Sequence, residues 1–514
     1  MNQTTAPTLD DPAVRLTSGR LLARNSLWNL AGQILPLLVA VVSIPVLVRG
    51  LGTDRFGILL IAWAVIGYFG IFDFGISRAL TQLVARRLGG GDAEIGPLVG
   101  TGLLLLLGLG LVGGTCVAAT SGWMVHRLLR VPVYLQAETF SALLLLGLAL
   151  PAVIVAAGLR GVLEAHQRFG VSNAIRIPLG ALTYLGPILV LPFTHSLVAV
   201  LGVLIAIRYL VIGAYVWWCM GLVGGPRRLI SFDAASALPL IRFGGWMTVS
   251  NLISPLMSYM DRFVVGAFLS VTAVAYYATP YDLVTRLLLI PAGLAAVLFP
   301  AFAATVQGGS DRAALLFSRG LKYTFIALFP AVLLVVAFAK EGLGVWLGLT
   351  FAGHSTHVLQ LLAIGVLINS VAQIAFALVQ GLGRADLTAK LHLLEVPVYT
   401  VMLLALVVSK GIDGAAAAWL LRVAVDMLLL LLISGRLLSK AIPATKAICL
   451  GVFVATLSLL VPVLDLPLPV RAIYAVLLLS GFGVVAWVRL LTATERAFGR
   501  RSLVRLAAAR RPSQ

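Results

Sequence analysis

The sequence predicts an all-α membrane protein of about fourteen transmembrane helices with both termini cytoplasmic. Three observations carry this reading: the composition, the length of the apolar runs, and the alternation of basic residues between successive connections. Of the 514 residues, 60% are hydrophobic and 11% charged, and the mean hydropathy is +1.04. A soluble domain is about a quarter charged. Such a chain cannot hide its apolar surface in one water-facing core, so lipid must solvate much of it. In lipid every backbone N–H and C=O is satisfied within the protein, which leaves helices or closed barrels. Runs such as 98–119 and 143–159 are unbroken and approach the roughly 20 residues that a bilayer demands of a helix. Barrel strands would be shorter and would alternate.

The spans fall at roughly 26–48, 57–77, 97–119, 139–159, 174–193, 197–222, 243–268, 276–303, 321–347, 357–380, 388–409, 412–435, 443–463 and 469–488. Most connections are a few residues long and no soluble domain is inserted. With the N-terminus placed in the cytoplasm, the inside segments hold 27 of the 38 lysines and arginines. The outside segments hold only Arg49, Arg55, Arg127, Arg130, Lys340, Lys410 and Arg471, and Arg208, Arg262, Arg286 and Arg422 fall within spans. This asymmetry is what the positive-inside rule requires. It fixes an even number of spans and accounts for the net charge of +19 without a nucleic-acid partner.

Cys116, Cys219 and Cys449 lie in apolar runs without CxxC spacing, so they read as small buried hydrophobes rather than redox or metal residues. The first 24 residues hold no apolar signal region, and the first span is expected to act as an uncleaved anchor. The tail 494–514 is basic with interspersed Phe498, Leu503 and Leu506, a pattern that rests on anionic lipid headgroups.

An internal repeat is visible at an offset of about 218 residues. Trp28 with Asn29, followed by Gln33 and Pro36, resembles Trp246 followed by Asn251 and Pro255, and the connector from Leu51-Gly52 to Phe56-Gly57 corresponds to that from Leu269-Ser270 to Val274-Ala275. Six spans lie in each copy, so both enter the membrane in the same orientation and are related by an axis along its normal. The expected organisation is an N-terminal segment 1–25, a six-helix bundle over 26–222, a second over 243–435, two further helices over 443–488 and a basic tail 489–514.

The stretch Arg24 to Asn29, with Pro45, Leu51-Gly52, Phe56-Gly57 and Phe72-Asp73-Phe74-Gly75-Ile76, resembles the opening of the Wzx-type polysaccharide-biosynthesis flippases. So do Phe243-Gly244-Gly245-Trp246, Met260-Asp261-Arg262-Phe263, Tyr276-Tyr277 and Val297-Leu298-Phe299-Pro300 in the second half. These flippases share a superfamily with the multidrug antiporters and the lipid II flippases. The resemblance implies a V-shaped pair of six-helix bundles around a central cavity in the bacterial inner membrane. It implies transfer of undecaprenyl-diphosphate-linked oligosaccharides between leaflets, coupled to an ion gradient, with no bond made or broken. It also implies membrane lipids, a polysaccharide polymerase and glycosyltransferases as partners, and no cofactor. The membrane-embedded arginine cluster near the first span of lipid II flippases is not clearly reproduced, which weakens the case for a peptidoglycan precursor.

A charge at mid-bilayer is costly unless it faces a cavity or a partner. The shortlist is therefore Asp73, Arg208, Asp261, Arg262, Asp282, Arg286, His392, Glu395, Arg422 and Asp426. A diphosphate suits arginine, whose planar fork binds two oxygens and stays charged. Arg262 and Arg286 are the first choices, since they lie on spans that carry the motifs, with Arg24 and Arg49 at the mouths of span 1 assisting. Asp261, Asp282, Glu395 and Asp73 are candidates for ion coupling or for the cavity. Asp282 with Arg286, and Arg422 with Asp426, are spaced i,i+4 and are able to neutralise each other on one helix face. Asp73 is placed to fix a helix end. His392 and Glu395 have a metal-like spacing that no second cluster completes. Prolines within spans read as kinks, with Pro36 and Pro255 the first choices for bending points.

Two other classes compete. A cation-coupled multidrug antiporter would line its cavity with acids, whereas arginines match the carboxylates here. An oligosaccharide polymerase or ligase would need a long external loop with catalytic residues, and the longest outside connection, roughly 121–138, carries no acid–base pair. No GxSxG, HExxH or GxxxxGK[ST] motif occurs either.

Overall fold

The computed structural model describes residues 19–69, 73–89, 94–166, 168–304, 310–438, 443–464, 466–491 and 496. In chain order its main helices are α1 Gly19–Phe69, α2 Ile76–Gly89, α3 Gly96–Trp123, α4 Val133–Ala165, α5 Phe169–Val190, α6 Leu197–Val223, α7 Ala234–Phe268 and α8 Val271–Thr285. They continue with α9 Leu289–Ala304, α10 Ser310–Ala337, α11 Ala339–Leu347, α12 Leu349–Gly381, α13 Ala385–Leu437, α14 Pro443–Ser458 and α15 Leu468–Val485. No strand occurs among the described residues. Ten helical segments among the described residues are long and apolar enough to cross a membrane. The protein is therefore an all-helical, multi-pass membrane protein.

Glycines set the breaks in the two longest helices. Gly52 (φ 76°, ψ 164°) interrupts α1 and Gly411 (φ 60°, ψ −138°) interrupts α13. A positive φ strains any residue that carries a Cβ and is free for glycine. Each break lies where the hydropathy pattern separates two spans. Other ends use ordinary caps: Ser196 accepts the N–H of Val198 at the start of α6, Gly224 closes its other end at φ 88°, and Asp233 accepts two backbone N–H groups at the start of α7.

The described chain forms two compact units, Met1–Ala278 and Thr279–Gln514, divided within α8. In the first unit α3 and α4 run with their backbones in close approach. A Cβ on Gly114 would collide with the Gly147 carbonyl, and one on Gly147 would lie 2.8 Å from the Gly114 carbonyl oxygen. Small residues serve this purpose in membranes, where helix association rests on van der Waals packing rather than on expelling water. At one end of the unit four connectors are tied together. Asp54 accepts hydrogen bonds from Tyr134 and Thr272, Arg55 pairs with Glu138 at 3.1 Å, Glu138 also accepts the N–H of Leu197, and Arg130 N–H donates to the Gly266 carbonyl at 3.1 Å.

In the second unit α12 is the central helix, packed against α9, α10, α11 and α13. Gln360 on α12 donates to the carbonyls of Val336 on α10 and Pro462 beyond α14. Arg471 on α15 is buried, bonds Glu341 at 2.6 and 3.2 Å, and donates to the carbonyls of Ala337 and Leu466. Phe482 packs on Phe329 with ring centres 4.6 Å apart. The last helix is thus fixed to α10 and α11 by charge and by aromatic contact. Of the cysteines, Cys219 is buried as expected, but Cys116 is exposed and Cys449 intermediate. An apolar thiol on a lipid-facing helix surface needs no protein cover.

Candidate functional site

The first unit has an open cavity of about 320 Å³ between α1, α4, α5 and α6. Three arginines line it: Arg160 from α4, Arg176 from α5 and Arg208 from α6, beside Tyr215. Arg160 has Glu164 one helical turn away at 3.6 Å. Arg208 has no acidic partner among the described residues. The cavity is therefore net positive, walled otherwise by apolar side chains such as Ile66 and Val211. Guanidinium groups converging on such a space suit an anion with several oxygens, because each fork binds two of them and stays charged at every physiological pH. Sequence reasoning placed Arg208 within the membrane but counted Arg160 and Arg176 among the cytoplasmic-side charges. A census of basic residues records the side of the membrane and says nothing of what a long side chain reaches.

The residues chosen from the sequence lie elsewhere. Asp261 and Arg262 are both buried on α7. Asp261 Oδ2 accepts the Tyr277 hydroxyl at 2.6 Å, Oδ1 accepts the N–H of Arg262 at 2.8 Å, and the Arg262 guanidinium lies 5.4 Å from the Tyr259 ring centre. Asp261 thereby ties α7 to α8. Arg286 is exposed at the start of the 3₁₀ turn Arg286–Leu288, with Asp282 half-buried one turn earlier. Arg49 is exposed on α1. The side chains of Arg24, Trp28, Asn29, Gln33, Trp246, Asn251 and Pro255 lie outside the described residues. Asp73 sits in the turn before α2, where its Oδ1 accepts the N–H of Gly75 at 2.8 Å and its carbonyl that of Ile76 at 2.9 Å, the geometry of a helix-end fixing residue. Of the described side chains among these, none lines the arginine cavity.

A second polar site occurs in the second unit. Because α13 turns at Gly411, its two halves run side by side, and residues far apart in sequence face each other. His392 Nε2 lies 3.9 Å from Asp426 Oδ1, and Arg422 Nε lies 3.6 Å from Glu395 Oε2. The ion pair recorded for Arg422 thus crosses the hairpin to Glu395, in place of the expected i,i+4 pairing with Asp426. Asp426 completes what the His392/Glu395 spacing lacked: one ligand atom from each of the three lies within 4.8 Å of the others. The adjacent guanidinium supplies a fixed positive charge, so the donor set suits a proton better than a metal cation.

The model of the family described as polysaccharide biosynthesis protein matches residues 22–306. A Shigella flexneri protein named as an O-antigen transporter is 30% identical over 412 residues, covering 80% of this chain and 96% of that protein. The lipopolysaccharide biosynthesis protein WzxC of Escherichia coli K12 is 25% identical over 381 residues, covering 72% of this chain and 71% of that protein. In fold the chain resembles the inward-facing structure of a multidrug-resistance MATE transporter of the MOP superfamily, with a TM-score of 0.68 at 15% identity, covering 82% of this chain and 96% of that one. With more than half its length matched by the family model and a 30%-identical relative aligned over most of both chains, the protein belongs to the polysaccharide biosynthesis family.

Proposed function

We propose that the protein is a flippase that carries undecaprenyl-diphosphate-linked oligosaccharide repeat units across the bacterial inner membrane by alternating access. It would serve synthesis of O-antigen, capsule or exopolysaccharide beside a polymerase and glycosyltransferases. The observation that supports this reading is the cavity lined by Arg160, Arg176 and Arg208. A diphosphate is the one strongly anionic part of such a cargo, and three arginines against a single nearby carboxylate form a site for it. A cation-exporting relative would need the opposite polarity. No chemistry on the cargo is required, so the protein acts as a transporter rather than an enzyme. Arg262, Arg286, Arg24 and Arg49 are proposed as further stations for the anion along its route. Asp261, Asp282, Glu395 and Asp73 are proposed for ion coupling or for the cavity wall.

The same reading takes the chain to cross the membrane fourteen times, in a six-plus-six-plus-two plan with both termini cytoplasmic. The breaks at Gly52 and Gly411 split two of the ten long apolar segments into pairs, and α7 and α14 supply the others. The test is translocation of a lipid-linked oligosaccharide in proteoliposomes, read by lectin access, together with complementation of a null strain. Arg176→Ala with Arg208→Ala is expected to abolish both while the protein remains in the membrane fraction. Wild-type flipping by that double variant would sink the assignment of the cavity.

A further inference from the structure

We infer that the hairpin of α13 carries a proton-binding site in which one proton is shared between the carboxylates of Glu395 and Asp426. This rests on the reading of the protein as a transporter and names the group that would couple it to a proton gradient. The argument begins from charge. Glu395 and Asp426 bring two carboxylates to one place, 7% and 5% exposed, and Arg422 brings one guanidinium. One negative charge is left over on the described side chains of a helix pair embedded in lipid. An uncompensated charge there costs several kcal/mol as an order of magnitude, and two buried carboxyl groups with oxygens within 4.8 Å of each other favour sharing one proton over both being ionised.

The hydrogen bonds give the same answer independently. Among the described residues, both Glu395 oxygens and Asp426 Oδ1 are buried without a hydrogen-bond partner, as is Arg422 Nε. Buried polar atoms are normally satisfied. A structural ion pair would have closed these contacts, and here Arg422 stands at 3.6 Å, beyond hydrogen-bonding reach. A proton on Glu395 resolves both problems together, since Glu395–COOH donates to the Asp426 carboxylate, and Asp426 and Arg422 then balance. The step is Glu395–COO⁻ plus one proton from water giving Glu395–COOH, reversed when the proton returns to water. Among the described residues, the charged and titratable groups in contact with the site are His392, Tyr399, Arg422 and Asp426, all on α13, and α8 packs nearby through Tyr281 on Trp419. From α12 the neighbour is the uncharged Phe376, on which the His392 ring is stacked at 5.6 Å. His392 is the most exposed member at 19%. A sodium ion fits less well. It wants a shell of oxygens, and this site presents a guanidinium and an imidazole beside its carboxylates.

The test uses the full-length protein in nanodiscs and in liposomes. Infrared difference spectroscopy at neutral pH should show the C=O stretch of a protonated carboxyl group, lost in Glu395→Gln and shifted in Asp426→Asn, with both variants eluting as monodisperse species. In liposomes containing a trapped pH dye, adding lipid-linked oligosaccharide should drive proton entry. That entry should fall to the protein-free level in Glu395→Gln and be unchanged when choline replaces sodium. A missing carboxyl band in wild type, a band that survives Glu395→Gln, or transport that follows sodium at constant pH would overturn the assignment. The infrared signal needs no cargo. Absence of flipping with the band intact would therefore overturn the proposed function and leave this site standing.

Discussion

Arg208 is the most decisive residue to change, because the cavity around it separates a binding role from a structural one. A structural arginine in a membrane helix has an acidic partner, and its removal orphans that partner. Arg208 has none among the described residues, so Arg208→Ala leaves no buried carboxylate behind and removes a charge held in a desolvated place. The melting temperature of the variant is expected to equal or exceed that of wild type. Binding should respond in the opposite sense. A hydrogen bond to a charged group contributes about 1.5–3 kcal/mol, and about 1.4 kcal/mol is tenfold in affinity. Loss of the Arg208 contact should therefore weaken binding of a short-chain polyprenyl diphosphate by roughly ten- to 150-fold. Arg208→Lys, which keeps the charge but not the fork, should fall between. Arg160→Ala should cost less than Arg208→Ala, since Glu164 already competes for that guanidinium at 3.6 Å. The assay is a Kd by microscale thermophoresis in detergent at fixed salt, paired with a thermal melt. Unchanged affinity in Arg208→Ala, or a loss of stability that tracks the loss of binding, would falsify the binding role.

Other consequences can be checked on the same purified protein. Tyr277→Phe leaves Asp261 Oδ2 without its 2.6 Å donor and should destabilise by about 1–3 kcal/mol, seen as a lower melting temperature with no change in diphosphate affinity. Arg471→Met removes the bonds to Glu341, Ala337 and Leu466. A broken buried pair costs about 3–5 kcal/mol, to be discounted because Glu341 is 31% exposed, so a loss of about 2 kcal/mol is expected, with earlier proteolysis of α15. The Asp233 carboxyl is held below its ordinary range by the Ser236 hydroxyl and the N–H of Ala235. Its cap therefore stabilises fully above the unfolded carboxylate pKa and is lost as pH falls through the lower folded one. The gap in melting temperature between wild type and Asp233→Ala should close on acidification and persist at neutral pH.

Hydropathy makes the all-helical, multi-pass character of the fold legible, because lipid imposes a length and a polarity that a single sequence reports directly. Gly52 and Gly411 show this well: each falls in a short break between apolar runs, and each takes a positive φ there. The candidate site is less legible, because pairing across helices is invisible to spacing along one helix. Arg422 and Asp426 stand four apart and look self-sufficient, yet the hairpin brings Glu395 into reach of Arg422 and His392 into reach of Asp426. Arg160 and Arg176 lie near helix ends and look like topology signals, yet α4, α5 and α6 turn them toward one cavity with Arg208. In both cases the missing information is the azimuth of one helix against another. That depends on which small residues permit close approach, and Gly114 against Gly147 is the kind of contact that fixes it.

The proposed repeat would have a physical consequence where its two copies meet. Asp54 and Thr272, which share a hydrogen bond, are 218 positions apart, the offset at which the sequence repeats itself, so equivalent connectors touch each other. Three residues on, Gly57 corresponds to Ala275. A Cβ on Gly57 would collide with the Val271 carbonyl and lie 3.5 Å from the Ala275 nitrogen. The obstacle is backbone, which has no rotamer with which to yield. One copy must therefore give up its side chain at this position, and the sequence does so in the first. Gly57→Ala should destabilise by about 1–3 kcal/mol, the usual range for overpacking, and should loosen the connector ties of Asp54 with Tyr134 and Thr272. Ala275→Gly, which removes a methyl group and crowds nothing, should cost less. Equal losses of melting temperature for the two would show that the contact tolerates either copy's side chain, and the steric account of the asymmetry would then be wrong.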